Sequence, residues 1–216
     1  MVNKQGIILL SGGLDSTVLL AQLRSQGYHV HALSFNYGQR HLVELDFAKI
    51  NATKYGVLSH KVVALDNQLF NRKSSLTNKD IKVSAYTRED LPEGVTDAYV
   101  PFRNTLFLAN AVGYAEAIAC PEVFVAFNKD DSKNFPDCTE SFVTGFNNLI
   151  DAQYSDTQYR VIAPFLNKSK AEIVQLSKRL DVDISQTLTC YSPNGKEECG
   201  VCLSCVTKRK ALAQVS

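Results

Sequence analysis

Short apolar runs alternate along this chain with longer amphipathic ones. Residues 6–10 (Gly-Ile-Ile-Leu-Leu) form a brief continuous apolar run ending in Ser11-Gly12-Gly13, as a buried parallel strand does. Residues 15–26 carry Val18, Leu19, Ala21 and Leu23 at helical spacing, and Gly27 follows as a C-terminal cap. Residues 30–35 read as a second strand, 43–55 as a helix stopped by Gly56, and 61–65 as a third strand. From 71 to 98 the chain is polar, and loops of that length in compact domains usually act as functional lids or mobile segments. Patterning resumes with an apolar helix at 105–119, a strand at 122–127, a helix at 140–154, a strand at 159–163 and an amphipathic helix at 168–180. This alternation predicts an α/β fold, a parallel doubly wound sheet with helices on both faces. Ligands of such sheets bind beyond the strand C-termini, so residues just after strands are the candidate site.

Composition narrows the function classes. The 216 residues suit one α/β domain with a small appendage, and no internal repeat is present. Lys+Arg 23 against Asp+Glu 22 gives a net charge of +1, which argues against stable nucleic-acid binding or membrane attachment through bulk charge. The apolar residues 7–10 are too few for a secretory signal, and no stretch approaches the ~20 apolar residues of a membrane span. A cytoplasmic protein with reduced thiols is expected.

The loop Ser11-Gly12-Gly13-Leu14-Asp15-Ser16-Thr17 sits between the first strand and a helix start. Its glycines permit positive φ and close backbone approach, and the hydroxyls and free amides at the helix start can donate to phosphate oxygens. Two glycines alone would read as an ordinary turn with Asp15 or Ser16 as helix cap. The whole Ser-Gly-Gly-x-Asp-Ser string in that place favours an anion cradle. It lacks the lysine and spacing of a Walker A loop and does not contain G-x-G-x-x-G. The string resembles the pyrophosphate-binding loop of the N-type ATP pyrophosphatases. That likeness implies cleavage of ATP between the α- and β-phosphates, adenylating a substrate oxygen.

Four of the six cysteines cluster as Cys190-x8-Cys199-x2-Cys202-x2-Cys205. Four thiolates at this spacing reach one tetrahedral ion, and Gly200 lets the turn between the first close pair bend tightly. Zinc is the leading candidate and the site structural, since four cysteines close the coordination sphere. An iron–sulfur cluster is the alternative, although no further cysteine and no Cys-Pro completes a ferredoxin run. Cys120 ends an apolar helix and reads as packing. Cys138 follows the fourth strand and is equally compatible with site and structure.

Three further polar strings follow strands or the long loop. They are Tyr37-Gly38-Gln39-Arg40-His41 with Glu44 one turn on, Val100-Pro101-Phe102-Arg103-Asn104, and Phe135-Pro136-Asp137-Cys138. Each alone reads as a helix cap, a solvated turn or a surface loop. Together, at the expected ligand edge, they outweigh those readings. With the Ser-Gly-Gly-x-Asp-Ser loop, the terminal cysteines, and Pro164-Phe165-Leu166 before Lys168-Ser169-Lys170-Ala171-Glu172-Ile173, they resemble the 7-cyano-7-deazaguanine synthase family from Ile7 to Leu212.

The resemblance implies an adenine nucleotide alpha hydrolase-like (Rossmann-like) domain over residues 1–185, closed by a four-cysteine zinc segment over 186–216. It implies ATP-dependent conversion of 7-carboxy-7-deazaguanine and ammonia to the nitrile in two adenylations, with magnesium accompanying ATP, in a homodimer. Leu10, Ser11, Gly12, Gly13, Leu14, Asp15, Ser16, Thr17, Val18, Leu19 and Leu20 would bind the nucleotide. Asp15, Ser16, Arg40 and Arg103 would act in catalysis, the arginines pairing phosphate or the substrate carboxylate. Tyr37, Gln39, Asn104, Asp131, Asp137 and Cys138 would meet the substrate. The chain departs from the family where Thr139-Glu140-Ser141-Phe142 stands for Arg-Pro-Glu-Phe, and again at residues 128–134. An arginine lost there keeps an amide product or another deazapurine substrate open; a tRNA-modifying relative is a separate alternative, for whose RNA-binding domain or basic face 216 residues at +1 leave little room.

Overall fold

The computed structural model describes residues 4–70, 73–154 and 159–215. The first two residues of the expected long loop, Asn71 and Arg72, therefore lie outside the described residues. Five parallel strands, β1 (Gln5–Leu9), β2 (His29–Asn36), β3 (Ser59–Ala64), β4 (Glu122–Phe124) and β5 (Arg160–Ile162), form one sheet in the order β3-β2-β1-β4-β5. The helices are α1 (Leu14–Ser25), α2 (Glu44–Lys54), α3 (Arg103–Ala117), α4 (Glu140–Gln153), α5 (Lys170–Arg179) and α6 (Leu203–Val215).

Alternation along β1 sorts the two layers, because successive strand side chains face opposite sides of a sheet. Ile7 packs with Leu108 and Ala111 of α3 and Val143, Phe146 and Ile150 of α4. Ile8 packs on the other face with Val18 and Leu19 of α1, Ala48 of α2, Ile173 of α5 and Ala211 of α6. Burial on both faces explains why β1 reads as a continuous apolar run rather than an alternating one. The expected doubly wound parallel sheet is present; element ends differ and one further helix is added. β4 ends at Phe124; Val125 still donates to the Ile162 carbonyl at 3.0 Å, and Val125 to Phe127 line the central cavity. The helix α6 begins directly after Cys202 and carries Cys205 in its first turn, where no element was expected.

The chain runs outward from β1 through β2 to β3, then returns across to β4 and β5. The turn-over point lies between β1 and β4, paired through Ile7 with Val123 and Ile8 with Phe124. A crevice opens there at the strand C-termini, which is where open α/β sheets take ligands.

The polar stretch after β3 is tied at several points rather than hanging free. Arg40 donates from Nη2 to the carbonyls of Asn78 and Ile81, both at 2.9 Å. Ser75 N bonds Asp97 O (2.8 Å), Tyr86 N bonds Val201 O (2.8 Å), and Asn134 Nδ2 donates to the carbonyls of Pro92 and Gly94. The stretch thus straps the cysteine segment to the loop after β4.

Candidate active site

At the end of β1 the chain passes through Gly12 at φ +84° before entering α1. A methyl group on Gly12 would lie 2.3 Å from the Glu44 carbonyl and 2.5 Å from the Ala48 amide, so the loop is wedged against the backbone of α2. Ser11 Oγ accepts from Gly13 N (3.2 Å) and lies 3.0 Å from Ser16 Oγ, which donates to the Gly13 carbonyl. Gly13 rather than Asp15 or Ser16 is the N-cap, and no side chain caps the helix. The first-turn amides of α1 therefore keep their capacity for an external acceptor, at the positive end of the helix dipole. Helix ends of this kind take anions readily.

An ionic cluster lies beside the loop. Lys170 at the start of α5 bonds Asp15 Oδ2, and Asn128 Nδ2 donates to Asp15 Oδ2 (3.3 Å) and Asp131 Oδ2 (2.5 Å). Asn128 Oδ1 in turn accepts from the amides of Asp130 and Asp131, both at 3.0 Å, which fixes the turn after β4. Burial pushes the Asp131 carboxyl up to about 6 against the pull of Lys170, while Asp15 and Asp131 together hold Lys170 above its ordinary value although its burial opposes this. Asp15 Oδ1 is buried without a partner. The cluster fixes the position of one ammonium group against two carboxylates at the mouth of the anion cradle.

Opposite the cradle, Arg103 opens α3 directly after Phe102, whose backbone is left-handed at φ 57°. Positive φ in a bulky residue is a strained conformation that surrounding structure must enforce. The turn aims Arg103 across Tyr37: its Nη1 donates to Tyr37 Oη (3.1 Å), and its guanidinium carbon stands 5.5 Å from the Tyr37 ring and 5.9 Å from the Phe107 ring. Arg103 Nε has no acceptor although buried. Asn104 Nδ2 donates to Asp137 O (3.3 Å) and to Cys138 Sγ (3.5 Å). Burial raises the Cys138 thiol well above its ordinary value, so it remains a protonated wall residue rather than a nucleophile.

Cradle, cluster and arginine face one cavity of about 240 Å³. Leu10, Ser11, Gly13, Asp15, Ser16, Tyr37, Arg103, Asn104, Asp131 and Cys138 all line it. Gln39 and Asp137 stand behind the wall, Gln39 bridging Tyr37 N, Phe35 O and Glu44. Arg40 does not line the cavity, and its Nη2 is engaged by the strap. Leu14, Val18, Leu19 and Leu20 are fully buried in the core, so their contribution to the cradle is backbone position and packing. Thr17 is equally buried and its hydroxyl has no partner. Cys120 is core packing, as expected.

The four cysteine sulfurs lie within 4.8 Å of one another, close to the ~3.8 Å edge of a tetrahedron with metal–sulfur bonds of about 2.3 Å. Backbone amides already point at them: Ser192 N and Cys199 N at Cys190, Cys202 N at Cys199, and Tyr191 N at Cys202. Such donors stabilise thiolates, and Gly200 takes φ +76° between the first close pair of ligands. The set fits a tetrahedral metal ion. Its segment also forms part of the cavity wall through Leu188, Thr189 and Tyr191.

The family model described as Queuosine biosynthesis protein QueC matches residues 5–216. The chain belongs to that family. Proteins named 7-cyano-7-deazaguanine synthase are 43% identical in Saccharophagus degradans (97% of this chain, 93% of the relative), and 40% identical in Rickettsia bellii (96% and 93%). The NMN synthetase structure from Francisella tularensis shares the fold, with a TM-score of 0.51 at 15% identity over 92% of this chain and 71% of that one.

Two residues of this QueC-family chain escaped sequence reasoning as site members. Lys170 was visible only as part of a helix-start string, and its contact with Asp15 spans 155 positions. Glu44 was visible only as a residue one turn beyond the Tyr-Gly-Gln-Arg-His string. The departure Thr139-Glu140-Ser141 does not line the central cavity. Thr139 instead caps α4, its Oγ1 accepting from Phe142 N at 3.2 Å.

Gly12→Ala is expected to cost about 2–5 kcal/mol, combining left-handed backbone with overlap on α2. Gly27, at φ +82° with open space around it, provides the control: Gly27→Ala should cost only about 1–2 kcal/mol. Urea denaturation of both variants checks the difference. Lys170→Met leaves two partly buried carboxylates uncompensated and should lower stability by about 3–5 kcal/mol in the same assay.

Proposed function

We propose that this chain makes 7-cyano-7-deazaguanine from 7-carboxy-7-deazaguanine, ammonia and ATP, as its relatives' shared name suggests. The observation that carries this reading is the uncapped, glycine-wedged helix start at the sheet's turn-over point, facing a cavity that also holds Arg103. The phosphates of ATP rest on Ser11, Gly13 and the first-turn amides of α1. Lys170, steered by Asp15 and Asp131, neutralises charge on the phosphates as the bond between the α- and β-phosphates breaks. Magnesium would accompany ATP and would supply further neutralisation of the phosphate charge beside Lys170. Arg103 pairs the substrate carboxylate, for which a guanidinium fork is suited, and Tyr37 and Phe107 hold that fork in place.

The carboxylate oxygen attacks the α-phosphorus and pyrophosphate leaves. Ammonia then displaces AMP to give the amide. Adenylation of the amide oxygen and loss of AMP complete the nitrile. Residues 1–185 form the catalytic domain in this reading. Residues 186–216 form a segment whose four cysteines hold one structural zinc, which contributes folding energy and no chemistry. A cytoplasmic homodimer belongs to the same proposal. A near-neutral chain favours a small-molecule substrate over tRNA, and no described helix is long and apolar enough to cross a membrane.

Incubation with 7-carboxy-7-deazaguanine, ATP, magnesium and ammonia should yield nitrile and two AMP per nitrile by mass detection. AMP release only with tRNA present would contradict the reading, and accumulation of amide alone would limit it to the first half. Asp15→Asn should abolish AMP formation while leaving the circular dichroism spectrum unchanged. Elemental analysis should find one zinc per chain, and Cys199→Ser should lower the Tm by several degrees. Bound iron with visible absorbance, or a Cys199→Ser protein that is stable but inactive, would overturn the structural-zinc assignment.

A further inference from the structure

The cavity holds one carboxyl whose surroundings differ from those of the others. Asp15 is bonded to Lys170, and Asp131, held by Asn128, lies within reach of the same ammonium charge. Glu44, at the first turn of α2, lines the same cavity with a side chain only 13% exposed. Its Oε1 accepts from Gln39 Nε2 at 3.0 Å and lies 3.4 Å from His41 Nε2. Its Oε2 takes no hydrogen bond among the described residues and is not sealed in the core.

No lysine contacts Glu44 among the described residues. The titratable and charged groups that face it are His41 on its own turn, Tyr37 at the end of β2, and Arg103 at the start of α3. Burial keeps His41 neutral, and burial raises Glu44 to about 7 against the Gln39 hydrogen bond and the Arg103 charge. A carboxyl held by neutral donors near pH 7 can take up a proton and release it.

The reaction has a matching need, which rests on the function proposed above. Carboxylate plus ATP gives acyl adenylate plus pyrophosphate and releases no proton. When ammonia adds, a nitrogen–carbon bond forms, the carbon–oxygen bond to AMP breaks with its electron pair leaving on AMP, and nitrogen sheds one proton. Adenylation of the amide oxygen sheds a second proton from nitrogen, and loss of AMP to form the nitrile sheds a third. Every proton is therefore released after the first adenylation.

We propose that Glu44 is the acceptor of these protons, its Oε2 receiving them from nitrogen while Gln39 and His41 hold Oε1 in place. Gln39 is then a positioning residue, which accounts for its burial behind Tyr37 with both side-chain polar atoms engaged.

The two halves of the reaction separate the possibilities. Wild-type protein without ammonia should exchange labelled pyrophosphate into ATP only when 7-carboxy-7-deazaguanine is present. Absence of that exchange would remove the proposed function itself, and this inference with it. In Glu44→Gln the exchange should stay within about twofold of wild type, which also reports a folded site. Ammonia-dependent amide formation in single turnover should fall by about 100-fold or more. Glu44→Asp should recover part of that loss. Equal loss of exchange and amide formation in Glu44→Gln would mean that Glu44 binds the substrate ring or shapes the site, and would overturn the proposal. Unimpaired amide formation in that variant would overturn it as well.

Discussion

The backbone of Gly12 is held between two parts of the chain that are far apart in sequence. On one side it lies against the first turns of α2, close enough that no side chain fits. On the other its carbonyl accepts the Leu188 amide at 3.0 Å, at the entrance to the cysteine segment. This double contact sets where the anion cradle points. It also brings three things to one place: the α1 helix start, Glu44 on α2, and the segment that presents Thr189 and Tyr191 to the cavity. A metal ion bound by the four cysteines would fix the far end of that contact, so folding and nucleotide geometry share a support.

The ionic cluster supplies the second constraint. A lysine and two carboxylates taken from water cost several kcal/mol per ion unless each is paired and hydrogen-bonded. Here the pairing is completed by Asn128, which donates to both carboxylates and accepts two backbone amides. The arrangement is better understood as a way of holding charge in position than as a source of stability. Preorganised charge in a sheltered cavity is what phosphoryl chemistry draws on, because no solvent must reorganise as charge develops.

Much of this was legible in the sequence, and the reasons are local. β1, its glycine loop and α1 form a continuous pattern in which apolar run, turn and helical period follow one another directly. The cysteine spacing likewise encodes its own geometry, down to the positive φ of Gly200. What was not legible depends on tertiary distance. Nothing near Lys170 indicates that it reaches Asp15, and nothing near Arg40 indicates that its Nη2 bonds the polar stretch after β3. That stretch read as a lid because its composition is polar. It is a strap because Arg40, Val201 and Asn134 satisfy its backbone from three directions. The Thr139 departure looked like a lost ligand, yet a threonine at that point makes a sound helix cap. Leu14, Val18, Leu19 and Leu20 sit in the binding string but face the core, since a helix that presents its first turn to a ligand must bury the face behind it.

The central claim is that this cavity activates a substrate oxygen by adenylation, twice on the same carbon. Oxygen bookkeeping tests it most directly. With both carboxylate oxygens of 7-carboxy-7-deazaguanine labelled with oxygen-18, each AMP released should carry one label in its phosphate, and the nitrile should carry none. Unlabelled AMP, with the label lost to water or retained in the product, would contradict the account.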